Sequence, residues 1–171
     1  MQACFIEEDF IQSETAHLFF VKPGQARESS KYGQLLCLNA DQNMFTYDIH
    51  LRQQRLNLEK VSSKCLYLDE VIDLKFIQPE NNKALLCSNS ESLKLMDLDS
   101  GETELYAGHT DIVLCLDTSA ARSMFLTGAK DNQIRLWQYK PEEAFQRRLN
   151  CLAVFQGHNE NVSSVCFAPK R

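Results

Sequence analysis

The sequence predicts an all-β protein that is built from repeated four-stranded antiparallel units. Short segments of apolar or alternating residues recur along the chain and are separated by turn residues, which is the pattern of β-strands. Two markers also recur with one common spacing, which indicates an internal repeat. Because no apolar stretch with a helical period is long enough to form a core helix, the pattern favours sheets throughout.

The first marker is a Gly-His pair that stands before an apolar strand. Gly108 and His109 open one such segment, and Gly157 and His158 open the next one, 49 residues later. In both segments a valine follows the histidine by four positions, and another apolar residue follows that valine by three. Val71 lies 42 residues before Val113, and Leu74 again places an apolar residue three positions after the valine. The same pattern therefore occurs three times in the sequence.

The second marker is a strand that ends on a large side chain. Residues 134–138 (Ile-Arg-Leu-Trp-Gln) resemble residues 93–97 (Leu-Lys-Leu-Met-Asp) and residues 44–48 (Met-Phe-Thr-Tyr-Asp). The distance from His109 to Trp137 is 28 residues, and the corresponding distance in the preceding unit is 29 residues. Two separate markers that keep one spacing rarely arise by chance, so together they indicate an internal repeat.

Taken in chain order, the repeat divides the sequence into four regions. Residues 1–65 hold part of a degenerate unit, and residues 66–107 form a second degenerate unit whose third strand ends on Asp97. Residues 108–156 form the best-preserved unit, and residues 157–171 hold the first strand of a following unit. The strands predicted in the third region are residues 112–116, 124–127, 133–137 and 151–155.

Turn residues join these predicted strands. In the third region Asp131 and Asn132 close the connection 128–132, because Asp and Asn tolerate the positive φ of a tight hairpin. Residues 38–43 supply the same residue types in the first region. Residues 141–148 predict a polar loop between the third and fourth strands.

Composition and charge narrow the function classes. The 171 residues include 18 Lys and Arg against 23 Asp and Glu, which gives a formal net charge of −5. Direct binding to the phosphate backbone of a nucleic acid is therefore not expected. The apolar runs are far shorter than a membrane span, and the acidic N-terminus predicts no secretory or mitochondrial leader. Seven cysteines without a Cys-x-x-Cys pair predict free, buried thiols in a reducing compartment.

A four-stranded unit of about 40–45 residues, with Gly-His before its first strand and Trp at the end of its third, resembles the WD40 repeat of β-propeller blades. Residues 108–137 look like a well-formed example, although Gln138 stands where the family has an aspartate. The unit that ends on Asp97 lacks the Gly-His and the Trp but keeps the spacing. The resemblance implies a partial propeller of about 3–4 blades, since a closed ring typically has 4–8, and we expect this stretch to belong to a longer protein.

The WD40 family also carries a buried, hydrogen-bonded set of His, Ser or Thr, Asp and Trp. By resemblance this set is His109, Thr127, Asp131 and Trp137. A structural role suits these residue types, because an imidazole can link a carboxylate to a hydroxyl while the indole N–H donates. We therefore expect no catalytic, cofactor-binding or metal-binding residues and no small-molecule substrate.

Two alternatives would give His109 and other polar residues a chemical role. A hydrolytic triad would combine His109 with Asp111 or Asp131 and a Ser or Thr, but no nucleophile stands on a glycine-flanked elbow. A zinc site would draw on the cysteines and histidines, but no two of them lie at ligand spacing; the histidines are His17, His50, His109 and His158. Both alternatives are therefore disfavoured.

The order of segments over residues 30–171 is similar to that of the WD40 subunits of the small-subunit processome, in which U3 small nucleolar RNA guides early cleavage of the 18S rRNA precursor. The degenerate Ser88-Asn89-Ser90 segment, followed by the intact Gly-His-Thr-Asp of residues 108–111, carries this resemblance. It implies a non-enzymatic nucleolar scaffold whose partners are other protein subunits of a ribonucleoprotein, with U3 RNA and precursor rRNA contacted indirectly. The alternative is a general WD40 adaptor in the nucleus or cytoplasm, such as a ubiquitin-ligase substrate receptor or a signalling scaffold.

Overall fold

The computed structural model describes residues 15–21, 32–39, 41, 43–52, 55–65, 70–77, 83–119 and 123–168. These residues form twelve β-strands in three four-stranded antiparallel sheets and contain no helix. The all-β class and the four-stranded repeat that the sequence predicts are therefore confirmed. The chain divides into two compact units, Met1–Tyr67 and Leu68–Arg171.

The first unit contains one sheet with the strand order β1-β2-β3-β4. Its strands are β1 (Thr15–Val21), β2 (Gln34–Asn39), β3 (Asn43–Arg52) and β4 (Arg55–Cys65). The side-chain carboxamide of Asn39 accepts a hydrogen bond from the Asn43 N–H at 2.8 Å, which helps to close the turn between β2 and β3. Residues 40 and 42 of the turn predicted at 38–43 lie outside the described residues.

The second unit contains two sheets in which sequential strands are neighbours. The first of them comprises β5 (Val71–Phe76), β6 (Lys83–Ser88), β7 (Leu93–Asp97) and β8 (Thr103–Tyr106). The other comprises β9 (Val113–Ser119), β10 (Met124–Ala129), β11 (Ile134–Tyr139) and β12 (Leu149–Phe155). Sequential antiparallel strands joined by short turns are the expected result of a sequence whose apolar segments are short and closely spaced.

The two sheets of the second unit pack face to face around one apolar core. Leu93 and Leu95 of β7 and Val113 of β9 are at most 2% exposed and belong to one cluster with Trp137. Strand β6 is buried at nearly every position, whereas β12 is exposed at most positions. The inner strands therefore carry the core, and β12 presents side chains to the surface.

Backbone links also join the start of one repeat to the turn of the previous one. The Val113 N–H donates to the carbonyl oxygen of Ser90 at 3.2 Å, and the Val162 N–H donates to that of Ala129 at 3.1 Å. Residues 156–168 nevertheless pair into none of the three sheets, so the strand expected in residues 157–171 has no strand partner in the described part of the chain.

Two carboxylates, one on the first strand of each sheet of the second unit, make a similar link. An oxygen of Asp73 on β5 accepts from the Leu116 N–H of β9 at 3.0 Å. An oxygen of Asp117 on β9 accepts from the Phe167 N–H at 2.6 Å. The first strand of each sheet in the second unit thus supplies a carboxylate that accepts a hydrogen bond from the backbone of a later segment.

The strand boundaries of the third sheet, β9 to β12, differ from the predicted ones by at most three residues, and the start of β10 and the end of β12 are as predicted. β9 continues to Ser119 because the polar residues Asp117 and Thr118 still pair with β10, although the apolar pattern ends at Leu116. β10 likewise includes Gly128 and Ala129, which the sequence assigned to the turn. The turn itself contains Asn132 with φ 62°, a left-handed conformation that Asn tolerates. Residues 141–148 form turns without a helix, in line with the predicted polar loop.

The expectation of buried thiols is met at only half of the described cysteines. All six are free; Cys37, Cys87 and Cys115 are buried, whereas Cys65, Cys151 and Cys166 are exposed. Cys151 lies on the outer strand β12, and Cys166 lies in the unpaired segment, so apolar sequence neighbours do not bury either of them. Burial, with a smaller contribution from the Asp73 carboxylate, raises the pKa of the Cys87 thiol to about 12, which keeps it protonated and unreactive. Cys4 lies outside the described residues.

Within the described part of the chain, no helix has the length and apolar character that a membrane crossing needs.

Candidate functional site

The structure brings the side chains of His109, Thr127, Asp131 and Trp137 into one buried hydrogen-bond chain. The Trp137 indole N–H donates to Thr127 Oγ1 at 2.9 Å. The same hydroxyl lies 2.7 Å from His109 Nε2, and His109 Nδ1 lies 2.8 Å from Asp131 Oδ2. The chain links β10, β11, the turn between them and the segment before β9, which are the elements that carry the WD40 sequence marks.

The hydrogen bonds can all be satisfied by one neutral tautomer of the histidine. Thr127 accepts from the indole and donates its own proton to His109 Nε2, which leaves Nδ1–H to donate to Asp131. Asp131 also accepts from the backbone N–H groups of Thr110 at 3.1 Å and Gln133 at 3.0 Å. Every polar side-chain group of this four-residue hydrogen-bond network therefore has a partner, as a buried network requires.

The pKa shifts agree with this neutral tautomer. Burial lowers the pKa of His109 below its ordinary value, although the neighbouring Asp131 carboxylate acts in the opposite direction. Burial alone would raise the pKa of Asp131, but hydrogen bonds from the Thr110 N–H, from His109 and from the Gln133 N–H outweigh it and lower that pKa. The pair is therefore an uncharged imidazole beside an ionised carboxylate.

We expect the neutral histidine to make stability depend on pH below about 7. The unfolded chain binds a proton to His109 as the pH falls through about 6.5, whereas the folded chain binds it only at lower pH. The free energy of unfolding should therefore fall between about pH 7 and pH 5, above the range in which Asp131 titrates. Urea unfolding at several pH values measures this slope.

The exposed His158 provides the control for that measurement. The variant His158→Gln should keep the slope between pH 7 and pH 5, and the variant His109→Gln should lose it. A slope that His158→Gln abolishes would contradict the assignment to His109.

The distances within this chain match those of an acid, a base and a hydroxyl nucleophile in a hydrolytic triad. Solvent exposure distinguishes a catalytic role from a structural one. The His109 side chain and Thr127 are both 0% exposed, which favours the structural role. A substrate carbonyl cannot reach the hydroxyl in this arrangement, and the indole N–H already occupies the oxygen. The geometry therefore supports a structural link between strands.

A metal site has no support in the part of the chain that the structure describes. No three side chains of the His, Cys, Asp and Glu types lie close enough there to hold a metal ion. His50 contacts Glu59, and His158 is exposed.

The Trp137 ring lies so close to Gly108 that position 108 has no room for a side chain. A Cβ atom at Gly108 would lie 2.6 Å from Cη2 of Trp137, too close for two carbon atoms. Gly157, in the corresponding marker, has φ 147°, and a Cβ there would meet nothing within 4 Å. The first glycine thus makes room for a ring, and the second provides a backbone conformation that other residues rarely adopt.

The second sheet carries apolar residues where the third has its hydrogen-bond chain. In the strand registers Leu86 of β6 corresponds to Thr127, and Met96 of β7 corresponds to Trp137. Both are at most 1% exposed. The hydroxyl and the indole are thus replaced together, which avoids the cost of a half-satisfied polar network in a core.

Asp97, the family aspartate that the second sheet retains, binds across to the neighbouring strand. Its carboxylate accepts from Lys83 Nζ at 2.7 Å and from the backbone N–H groups of Asp99 and Ser100 at 2.9 Å. Burial opposes ionisation, but these hydrogen bonds outweigh it and lower the pKa of Asp97 to about 2. The first sheet repeats the arrangement, because Asp48 accepts from Gln34 Nε2 at 2.7 Å. In both sheets the aspartate at the end of this motif thus links the third strand to the second, β7 to β6 through Asp97 and β3 to β2 through Asp48.

Sequence reasoning missed a second polar cluster, which is centred on Glu104 of β8. Glu104 is 5% exposed and accepts from the Tyr106 hydroxyl at 2.7 Å, from Arg148 Nη1 at 2.6 Å and from the Gln146 N–H at 2.7 Å. Burial and the hydrogen bond to this carboxylate raise the pKa of Tyr106, so its hydroxyl stays a donor. Gln146 and Arg148 lie 42 and 44 residues from Glu104 in the chain, so the local sequence pattern gives no sign of these contacts.

Comparison with known proteins agrees with this geometry. The family model "WD domain, G-beta repeat" matches residues 102–138 and 149–171. The chain is 35% identical to Transducin beta-like protein 3 of Bos taurus over 134 residues, which are 78% of this chain and 16% of that protein. It is 36% identical to the Mus musculus protein of the same name over 132 residues, 77% of this chain and 15% of the relative.

A yeast relative matches over a shorter stretch. The chain is 30% identical to U3 small nucleolar RNA-associated protein 13 of Saccharomyces cerevisiae over 104 residues, 56% of this chain and 12% of that protein. The chain thus spans about a sixth, or less, of the length of these three relatives. Residues 102–138 and 149–171 are WD40 repeats.

Proposed function

We propose that this chain is part of a non-enzymatic scaffold of the small-subunit processome, which acts in U3-guided processing of the 18S rRNA precursor in the nucleolus. The observation that carries the proposal is the similarity to Transducin beta-like protein 3 over 78% of the chain. That similarity is more than twice as long as the stretch matched by the general repeat model, so it reflects more than the WD40 pattern. The yeast relative named for its association with U3 small nucleolar RNA supports the same particle.

The buried polar groups support a scaffold rather than an enzyme. The histidine with the connectivity of a catalytic base is closed off from solvent and occupied at both ring nitrogens. Rigid sheets with exposed connections suit protein binding, because a preordered surface loses little conformational entropy on association. We propose that the contacts are with protein subunits and that U3 RNA and precursor rRNA are reached through them, in keeping with the net charge of −5.

We also propose that residues 66–107 and 108–156 are two successive blades, with part of another in residues 1–65 and the start of a further one in residues 157–171. The sheets β5–β8 and β9–β12 fall within the first two of these ranges and support them. On this proposal the hydrogen bonds among His109, Thr127, Asp131 and Trp137 link the strands of one blade to each other and to the segment before its first strand.

Affinity purification of the tagged chain from its own cells, followed by measurement of U3 small nucleolar RNA, tests the role. We expect U3 RNA to be enriched together with ribosome-assembly proteins, and depletion of the protein to cause unprocessed 18S precursors to accumulate. The variant Trp137→Ala should lose the enrichment because it weakens the fold, whereas Leu152→Ala, at an exposed position of β12, should keep it. Recovery of cullin-type or kinase partners without U3 RNA would instead favour the general adaptor.

A further inference from the structure

The connection between β11 and β12 carries an exposed aromatic side chain. Residues 141–147 are all exposed, and Phe145 keeps 56% of its surface accessible. A phenylalanine that is left in water gains free energy when a partner covers it. We propose that this loop docks a partner protein that receives Phe145 in an apolar pocket with a basic rim. The inference rests on the scaffold role proposed above, for which it names one contact surface.

The loop is anchored to the neighbouring sheet by a buried carboxylate. Glu104 accepts hydrogen bonds from the Gln146 N–H, directly after Phe145, and from the Arg148 side chain. Gln146 has φ 61°, a left-handed conformation that residues other than glycine seldom adopt. A strained residue and a buried charge together hold a loop whose own side chains are exposed, and strain of this kind is frequent at binding sites.

Backbone hydrogen bonds within the loop hold it in one shape. The Lys140 N–H donates to the Arg148 carbonyl oxygen at 2.7 Å, which closes the base of the loop. The Arg147 N–H donates to the Ala144 carbonyl oxygen at 2.9 Å, which makes a turn around Phe145. Because the aromatic ring is presented from a preordered turn, binding costs less entropy than it would from a flexible segment.

The charges beside the ring favour a protein over a nucleic acid. Glu142 and Glu143 are exposed and precede Phe145 by three and two positions, whereas the exposed Arg147 follows it by two, so carboxylates outnumber the cation among residues 141–147. Carboxylates there repel phosphate groups, which opposes the stacking of an RNA base on the ring. They attract the Lys and Arg side chains of a protein surface, and charged residues of this kind commonly form the rim around an apolar contact.

A photo-cross-linking experiment in cells tests the surface. Phe145 is replaced by the photoreactive p-benzoylphenylalanine in the full chain, the cells are irradiated, and the adducts are identified by mass spectrometry. Leu105 and Phe155 are replaced in the same way as controls, because they are 55% and 49% exposed but lie on strands. We expect one main protein adduct at position 145 that neither control position gives.

Charge reversal makes the test specific. The double change Glu142→Lys and Glu143→Lys should lower the yield of this adduct about tenfold or more, whereas Glu102→Lys, on another exposed turn, should not change it. The variant Phe145→Ala should leave the thermal unfolding midpoint unchanged. A lower midpoint would mean that the ring packs within the fold, and it would overturn the proposal.

Other outcomes separate this surface from the processome role. Adducts with RNA, with a second copy of this chain or with the chain itself would overturn the docking proposal, as would a yield insensitive to charge reversal. Recovery of U3 RNA in the same cells reports the processome role independently. A charge-sensitive protein adduct without U3 RNA upholds the docking surface and rejects the role, and U3 RNA without the adduct does the reverse.

Discussion

Replacing Trp137 with alanine is expected to lower the free energy of unfolding by about 3–5 kcal/mol, which is typical when a buried aromatic side chain is removed from a core. Trp137 is 2% exposed, and it fills space between the two sheets of the second unit. Its loss also leaves Thr127 Oγ1 without the indole donor. Urea unfolding of the full chain, followed by far-UV circular dichroism, measures the effect.

Two further variants show what the tryptophan contributes. Trp137→Phe keeps most of the apolar ring but removes the N–H, so we expect it to cost less than the alanine variant. Leu152→Ala changes an exposed residue of β12 and should alter stability by about 0.5 kcal/mol or less. An alanine variant at Trp137 as stable as the Leu152 variant would contradict the packing described here.

Replacing Thr127 with valine is expected to destabilise the fold by about 2–6 kcal/mol although the side chain keeps its shape. The change removes the atom that accepts from Trp137 and that hydrogen-bonds His109. Each buried polar group left without a partner costs about 1–3 kcal/mol, and two such groups result. Urea unfolding again provides the measurement.

Thr127→Ser is the matched control, since serine retains the hydroxyl and loses one methyl group. We expect it to cost about 1 kcal/mol from lost apolar burial. If the serine and valine variants were equally unstable, the hydroxyl would have no part in stability. Combining Thr127→Val with Trp137→Phe should cost less than the sum of the two changes, because the donor and the acceptor then disappear together.

The sequence is sufficient to predict the elements that repeat. The Gly-His pair marks the start of a unit and the tryptophan lies near the end of its third strand, and the apolar pattern between them predicts strands that the structure contains. The marks are informative because they have local causes: Gly108 makes room for the Trp137 ring, and Asn132 tolerates a positive φ. The third sheet is therefore predicted to within a few residues along its length.

Contacts between residues that are far apart in the chain cannot be predicted in this way. Glu104 looks like the polar position of an alternating strand, yet it is buried because the loop after β11 covers it. The exposed Cys151 looks like a core residue by composition, yet β12 is an outer strand with uncovered side chains. Burial at these positions depends on which element packs against them, and a periodic pattern does not contain that information.

The carboxylates of Asp73 and Asp117 also bear on the order in which the protein forms during translation. Each accepts a backbone hydrogen from a residue that is synthesised later, 43 residues later for Asp73 and 50 residues later for Asp117. These two hydrogen bonds can therefore form only after the following stretch of chain has emerged from the ribosome.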